Sequence, residues 1–236
     1  MKKGSVHSYS EVTRLVDVGL RKYMLNVFSY MSAGLFLTAI VAYVASLSEA
    51  FISFFLSSNL AFFVVALAPI AVVMYLSFKI NSISAGKAKA LFFAYAALLG
   101  LSMASIMVFY TTASIVSTFF VTSSMFLSMV VYGYSTQKDL TSFGSFMFMG
   151  LIGIFVAGIV NMFLHSTVTS LVISAIGVIV FTGLTAYDTQ VIKSFYLESD
   201  SSDASEKKAV FGALQLYMDF INLFLHLLRF LGSRRD

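Results

Sequence analysis

The stretch Ala61-Phe-Phe-Val-Val-Ala-Leu-Ala68 is apolar at every position. A strand of an outer-membrane barrel would alternate apolar and polar side chains over roughly ten residues, so this stretch favours a helix. It belongs to one of four segments without a charged side chain, at residues 23–48, 50–78, 90–137 and 140–187. Because a helix needs about 20 apolar residues to cross a bilayer, these four segments together predict six crossings.

The composition agrees with a membrane protein. Of 236 residues, 11% are charged and 59% are hydrophobic, whereas roughly a quarter of the residues in a soluble domain are charged. The chain has no cysteine, which excludes disulfides, thiolate metal sites and cysteine nucleophiles. The net charge of +4 is better explained by loop charges that orient the helices than by nucleic acid binding, so we expect no nucleic acid partner.

The basic residues between the apolar segments alternate along the chain. Five lie in residues 1–22, three in 79–89, one at Lys138 and three in 193–208, whereas the intervening connections have none. By the positive-inside rule, this pattern places the N-terminus in the cytoplasm. The predicted organisation is a cytoplasmic N-terminal segment (1–22), a membrane domain (23–232) and a C-terminal tail (233–236).

The predicted architecture is an all-α bundle of seven transmembrane helices. A seventh apolar segment, residues 209–231, is interrupted by Asp219. If it spans the membrane, Arg234 and Arg235 lie outside, against the charge rule, whereas a re-entrant hairpin returns them to the cytoplasm; attachment along the membrane surface is a third alternative. We favour a spanning helix at the centre of the bundle. The seven predicted helices are 24–47, 60–78, 90–110, 114–134, 143–164, 169–190 and 209–231.

Two carboxylates fall within or at the ends of the apolar helices, Asp188 in the sixth and Asp219 in the seventh. A charge at the bilayer centre costs roughly 3 kcal/mol on insertion scales, so these acids need partners or water. The polar residues of the seventh helix are spaced 4, 3 and 4 apart and therefore share one face, which we expect to point toward Asp188 and Thr185. This polar stripe consists of Gln215, Asp219, Asn222 and His226.

Two carboxyl groups that meet in a low-dielectric site cannot both ionise cheaply, so we expect Asp188 and Asp219 to share one proton near neutral pH. Once ionised, their oxygens are hard ligands that suit Ca²⁺. The predicted site therefore handles protons and Ca²⁺ and needs no resident cofactor. The alternative is a neutral, hydrogen-bonded pair that only locks two helices together. We expect His226, near the end of its helix, to extend toward the membrane surface.

Two enzyme interpretations fit poorly, and we expect no enzymatic activity. Intramembrane aspartyl proteases have Gly-x-Gly-Asp in their second motif, but this chain has Tyr217-Met218-Asp219. A rhomboid-type serine site needs a glycine after the serine, and Ser102 is followed by Met103.

In the fifth predicted helix, Gly153, Ala157 and Asn161 are four apart, which predicts a close approach of a neighbouring helix.

Several motifs in the second half of the chain carry a family resemblance. They are Phe181-Thr-Gly-Leu-Thr-Ala-Tyr-Asp-Thr-Gln190, Leu216-Tyr-Met-Asp-Phe-Ile-Asn-Leu-Phe-Leu225, Leu228-Arg-Phe-Leu-Gly232 and the turn Ser135-Thr-Gln-Lys-Asp-Leu140 leading to Val160-Asn-Met-Phe163. Together they resemble the signature of the Bax inhibitor-1 (transmembrane Bax inhibitor motif) family.

The resemblance implies a seven-helix fold with the last helix central and a pH-sensitive Ca²⁺ leak governed by a di-aspartyl pair, matched here by Asp188 and Asp219. It also implies cytoprotection in eukaryotic members, and stress and membrane-protease control in bacterial ones. The chain lacks the basic residue of the second helix found in parts of the family, since none lies between Glu49 and Lys79. We expect a protein of the bacterial cytoplasmic (inner) membrane that is either a Ca²⁺ leak channel or a non-conducting regulator that binds a membrane protease or another membrane protein.

Overall fold

The protein is described by a computed structural model that covers the backbone of residues 3–80 and 82–235, and the side chains of residues 18–55, 57–58, 67–80 and 82–235. Every regular element in these ranges is a helix, so the all-α prediction is confirmed. The helices are α1 (Lys3–Ser46), α2 (Glu49–Ser57), α3 (Asn59–Lys79), α4 (Ala85–Phe109), α5 (Thr112–Ser135), α6 (Thr141–Leu164), α7 (Thr167–Ser194) and α8 (Ser202–Leu231).

Among the described residues, six helices are long and apolar enough to cross a membrane: α1 from Val18 onward, and α4 to α8. The predicted second crossing corresponds to α3, whose described apolar part is Leu67–Lys79, so the count of seven crossings stays a prediction. Large apolar side chains face outward, with Phe163 81% and Phe36 70% exposed. An outer surface of this kind suits lipid rather than water, in agreement with an integral membrane protein.

Helix α8 lies at the centre of the bundle, where it packs against α1, α4, α5 and α7. Its side chains form much of the core, including the fully buried Tyr217 and Leu223. The helix is continuous from Ser202 to Leu231, about 45 Å long at 1.5 Å per residue. The re-entrant and surface-attached alternatives are therefore wrong, because Asp219 is accommodated inside an unbroken, buried helix.

Hydrogen bonds between loops define the two ends of the bundle. At one end, the N–H of Ala85 donates to Asp203 at 3.0 Å, which joins the α3–α4 loop to the start of α8. At the other end, the N–H of Arg235 donates to the carbonyl of Phe109 at 3.0 Å, which joins the C-terminal residues to the α4–α5 turn. We call the first the basic end, because it carries the lysine-containing connections.

Packing of α8 against α1 and α4 depends on close aromatic contacts. The hydroxyl groups of Tyr217 and Thr38 lie 2.6 Å apart, and the ring of Phe92 meets Tyr217 edge-on at 5.8 Å between centroids. Gly34 makes room for this cluster, since a Cβ atom there would lie 2.6 Å from the Phe92 ring. These contacts fix the rotation of α8, and with it the direction in which the polar stripe points.

Three local predictions are corrected. Helix α1 begins at Lys3, far before residue 24, because a helix can continue past the apolar part that sets the prediction. The loop after α1 contains α2, whose first turn is capped by the Ser48 side chain. In α6, a Cβ on Gly153 would meet no described atom within 4 Å, and Asn161 accepts a hydrogen bond from the backbone of Ser166 instead of bridging helices.

Candidate functional site

The structure brings Asp188 of α7 and Asp219 of α8 together, with their carboxyl groups close enough for a hydrogen bond. Asp219 is 5% exposed, and its Oδ2 atom is buried without a recorded hydrogen-bond partner among the described residues. Two ionised carboxylates can only accept hydrogen bonds. A hydrogen bond between the two groups would therefore require a proton on one of them.

Small residues on both sides of this pair allow α7 and α8 to approach closely. A Cβ atom on Gly212 would lie 2.8 Å from the Ile192 side chain, and one on Gly177 would lie 2.5 Å from the ring of His226. The two glycines are in different helices and lie on opposite sides of the carboxyl pair along the interface. The short interhelical distance places the carboxyl groups in contact without an intervening side chain.

The pair lies on the wall of a cavity of about 650 Å³ between α6, α7 and α8. The cavity follows the polar stripe from Gln215 to Asn222, about 10 Å at 1.5 Å per residue. Ser145 and Phe148 on α6 line the same cavity and are exposed, so it reaches the protein surface beside α6. We call this space the carboxyl cavity.

The other polar residues predicted for the site differ in their surroundings. Gln215 lines the carboxyl cavity, and its buried Oε1 atom has no hydrogen-bond partner among the described residues. Asn222 also lines it and donates from Nδ2 to the carbonyl of Met218 at 2.8 Å. Thr185 is fully buried and donates to the carbonyl of Phe181 at 2.7 Å. Thr185 is therefore bonded within its own helix and does not line the cavity.

The prediction that His226 extends toward the membrane surface is wrong. Its ring is partly buried and stacks on Phe181 at 5.5 Å between centroids. Its Nδ1 atom is buried without a hydrogen-bond partner among the residues described. Because Phe181 also lines the carboxyl cavity, the stacked rings lie at the side of the cavity away from the basic end. The lack of a side chain at Gly177 explains why His226 can turn inward toward α7.

The donor set fits a hard cation that binds weakly. In the described part of the chain, no group of three or more His, Asp or Glu side chains comes together. The carboxyl cavity offers two carboxyl groups and the amides of Gln215 and Asn222, whereas Ca²⁺ takes six to eight oxygen ligands. Water would have to complete the shell. The cavity lining contains no lysine or arginine among the described residues, so no basic side chain there neutralises the acids.

Two further cavity residues were not identified from the sequence. Gly144 on α6 lies against the ring of Tyr187, and any side chain at that position would collide with the ring. Tyr187 also lines the cavity, next to Asp188. A glycine near a helix start is common, so the sequence carries no signal that marks Gly144 as part of a site.

Comparisons with known proteins agree with the resemblance seen in the motifs. Residues 20–236 match the family model described as inhibitor of apoptosis-promoting Bax1. The chain is 47% identical to inner membrane protein YbhL of Escherichia coli strain K12 over 219 residues, which cover 92% of this chain and 94% of that protein.

Other bacteria hold similar proteins. A Rickettsia prowazekii protein is 43% identical, with 93% of each chain covered. A membrane protein of Streptococcus pyogenes serotype M3 is 34% identical, with 92% of this chain and 94% of that protein covered. The chain therefore belongs to the Bax inhibitor family, described as inhibitor of apoptosis-promoting Bax1.

Proposed function

We propose that this membrane protein is a pH-sensitive Ca²⁺ leak channel, controlled by the pair of Asp188 and Asp219. The observation that carries the proposal is a direct contact between two carboxyl groups on the wall of a cavity inside a bundle of membrane-crossing helices. Intramembrane acids of this kind are costly and mark ion or proton pathways. The cavity supplies oxygen atoms, the ligand type that Ca²⁺ prefers.

The shared proton controls the charge of the carboxyl cavity. With the proton bound, the pair has one negative charge and holds α7 and α8 together. Its loss adds a second negative charge in direct contact with the first, which a cation and water can relieve. Ca²⁺ binding and proton binding therefore compete for the same two carboxyl groups, and the leak responds to pH.

Conduction needs a path through both ends of the bundle. The carboxyl cavity reaches the surface beside Ser145 and Phe148, near the start of α6, and the stacked rings of Phe181 and His226 lie at its other side, where we propose that they close the path. In the proposed mechanism, separation of α7 from α8 moves these rings apart. The structure then corresponds to the closed state of the channel.

The proposed orientation places the N-terminus and the basic end in the cytoplasm, following the alternation of the basic residues. The proposed location is the bacterial inner membrane, supported by the similarity to an inner membrane protein of Escherichia coli. A leak controlled by pH would serve in stress protection, the role that the family resemblance implies for bacterial members.

Purified protein in liposomes with an entrapped Ca²⁺ dye tests conduction directly. We expect protein-dependent Ca²⁺ flux that changes between about pH 5 and 8, and no flux in liposomes that contain a matched amount of an unrelated membrane protein. The absence of protein-dependent flux at every pH in this range would refute the channel. It would leave the alternative, a non-conducting regulator that binds a membrane protease or another membrane protein.

A further inference from the structure

A second set of cavities lies on the far side of α8 from the carboxyl cavity. Three apolar cavities of about 430, 280 and 420 Å³ follow one another between α1 and α5. Phe28 and Val130 line both the first and the third, and Phe119 and Phe220 line both the first and the second. The three cavities are therefore continuous, and we call them the α1–α5 groove.

The α1–α5 groove is open along its length. Helices α1 and α5 both pack on α8, yet within the described residues they have almost no contact with each other. Phe36 on α1 and Leu127 on α5 line the groove and are 70% and 61% exposed. The floor is formed by Phe220 of α8. In a membrane, this opening faces the acyl chains of the lipid.

The end of the groove at the basic end is charged. Arg21, Tyr134 and Ser135 line it; Arg21 and Ser135 are exposed and Tyr134 is partly buried. The Nζ atom of Lys193 donates to the carbonyl of Tyr134 at 2.9 Å and lies over its ring. Neither Arg21 nor Lys193 takes part in an ion pair in the described part of the chain. Two cations that form no ion pair with any described residue therefore flank the entrance of an apolar groove.

The part of the groove next to the charged entrance matches one lipid leaflet. From Arg21 to Ser32, α1 rises about 16 Å at 1.5 Å per residue, close to half of the roughly 30 Å hydrocarbon core of a bilayer. Over this distance the lining changes from a charged entrance to apolar side chains such as Phe28 and Met31. Along a phospholipid, an anionic phosphate is followed by apolar acyl chains. The cation and the apolar surface of the groove complement these groups in the same order.

We propose that the α1–α5 groove binds one anionic phospholipid from the leaflet at the basic end. Its phosphate lies between Arg21 and Lys193, and one acyl chain follows Phe28 toward Phe119 and Phe220. A soluble anion would satisfy the two cations but leave the apolar groove unfilled. A lipid without net negative charge would fill the groove but leave the excess positive charge of the entrance uncompensated. An anionic phospholipid satisfies both parts.

The absence of tryptophan from the chain permits a site-specific test with brominated lipids, which quench tryptophan fluorescence on contact. The Phe28→Trp variant places the probe inside the groove. The matched control is Phe146→Trp on α6, whose side chain is 63% exposed near the basic end and lines none of the groove cavities. Each variant is reconstituted in vesicles of phosphatidylcholine with added phosphatidylglycerol, and one of the two lipids carries the bromine atoms.

We expect the Phe28→Trp variant to be quenched by brominated phosphatidylglycerol with an apparent affinity about 5-fold to 25-fold above that of phosphatidylcholine, since each cation near the surface contributes about 5-fold. In the Phe146→Trp control, the ratio of the apparent affinities for phosphatidylglycerol and phosphatidylcholine should be near one. Adding Arg21→Gln and Lys193→Gln to Phe28→Trp should abolish the preference, and Arg21→Lys should retain it. An equal ratio for both probes, or a preference that survives removal of both cations, would overturn the proposal. Neither result depends on whether the protein conducts Ca²⁺.

Discussion

Replacement of either acid of the carboxyl pair by asparagine should remove the pH dependence of Ca²⁺ action. In the structure, the carboxyl groups of Asp188 and Asp219 are in direct contact, and the proposed mechanism requires them to share one proton. If one Ca²⁺ ion displaces this one proton, the apparent Ca²⁺ affinity should rise by up to tenfold per pH unit, equivalent to about 1.4 kcal/mol. The rise should occur where the pair holds the proton, between about pH 5 and 8.

In Asp188→Asn or Asp219→Asn, the new amide donates a hydrogen bond to the remaining carboxylate, which then stays ionised throughout this range. We expect the apparent Ca²⁺ affinity of each single variant to change less than about twofold per pH unit, because no shared proton remains to be released. The double variant should add little to the loss of pH dependence, because the two groups act as one unit. Asparagine keeps the size of the side chain, so the packing of α7 on α8 is retained.

The assay is Ca²⁺ flux into dye-loaded liposomes, measured as a function of Ca²⁺ concentration at several pH values. Glu198→Gln is the matched control, because it removes an exposed acid at the same end of the bundle and outside the carboxyl cavity. The Glu198→Gln variant should keep the parental slope of apparent Ca²⁺ affinity against pH. If both single aspartate variants also keep that slope, the shared-proton mechanism is refuted and the pair is structural.

Three further outcomes are expected. Phe181→Ala removes the ring that stacks on His226 at the closed side of the cavity and should raise Ca²⁺ flux several-fold at fixed pH; unchanged flux would place the closure elsewhere. Hydrogen bonds from the hydroxyl and N–H of Thr141 lower the pKa of Asp139, so Asp139→Asn should lower the thermal unfolding temperature at pH 7, with the difference vanishing as the pH falls through that pKa. A fluorescent protein fused after Arg235 should be dark in cells and an export-dependent phosphatase active, because α8 is continuous and ends opposite the basic end; the reverse pattern would contradict the proposed orientation.

The sequence predicts the membrane class, most helix positions and the contact between the two acids, and each for a physical reason. Uncharged segments identify helices because an unpaired charge in lipid is costly. The spacing of Gln215, Asp219 and Asn222 identifies one face of α8 because helical periodicity is regular. With α7 directly before α8 in the chain, Asp188 at the end of one helix and Asp219 within the next were expected to meet.

Other features depend on the rotation and separation of helices, which periodicity alone does not determine. Gly153 and Gly177 are both glycines in apolar helices, yet a Cβ on Gly153 would meet no described neighbour, whereas one on Gly177 would meet His226. The inward position of His226 follows from that difference and not from its place near a helix end. The α1–α5 groove could not be predicted from the sequence either. An apolar residue such as Phe28 gives the same sequence pattern whether it packs against a helix or lines a groove.

The two proposed sites use opposite faces of the same helix. At 3.6 residues per turn, the groove residues Phe220, Ile221 and Phe224 are centred about 180° around α8 from Gln215, Asp219 and Asn222. Helix α8 is continuous, so any tilt that separates Asp219 from α7 must press the other face into the groove. A bound acyl chain resists that tilt, because filled space in a packed interior is costly to compress. Lipid occupancy and the protonation of the carboxyl pair are thereby linked through one helix, and by thermodynamic reciprocity each must alter the affinity for the other to the same degree.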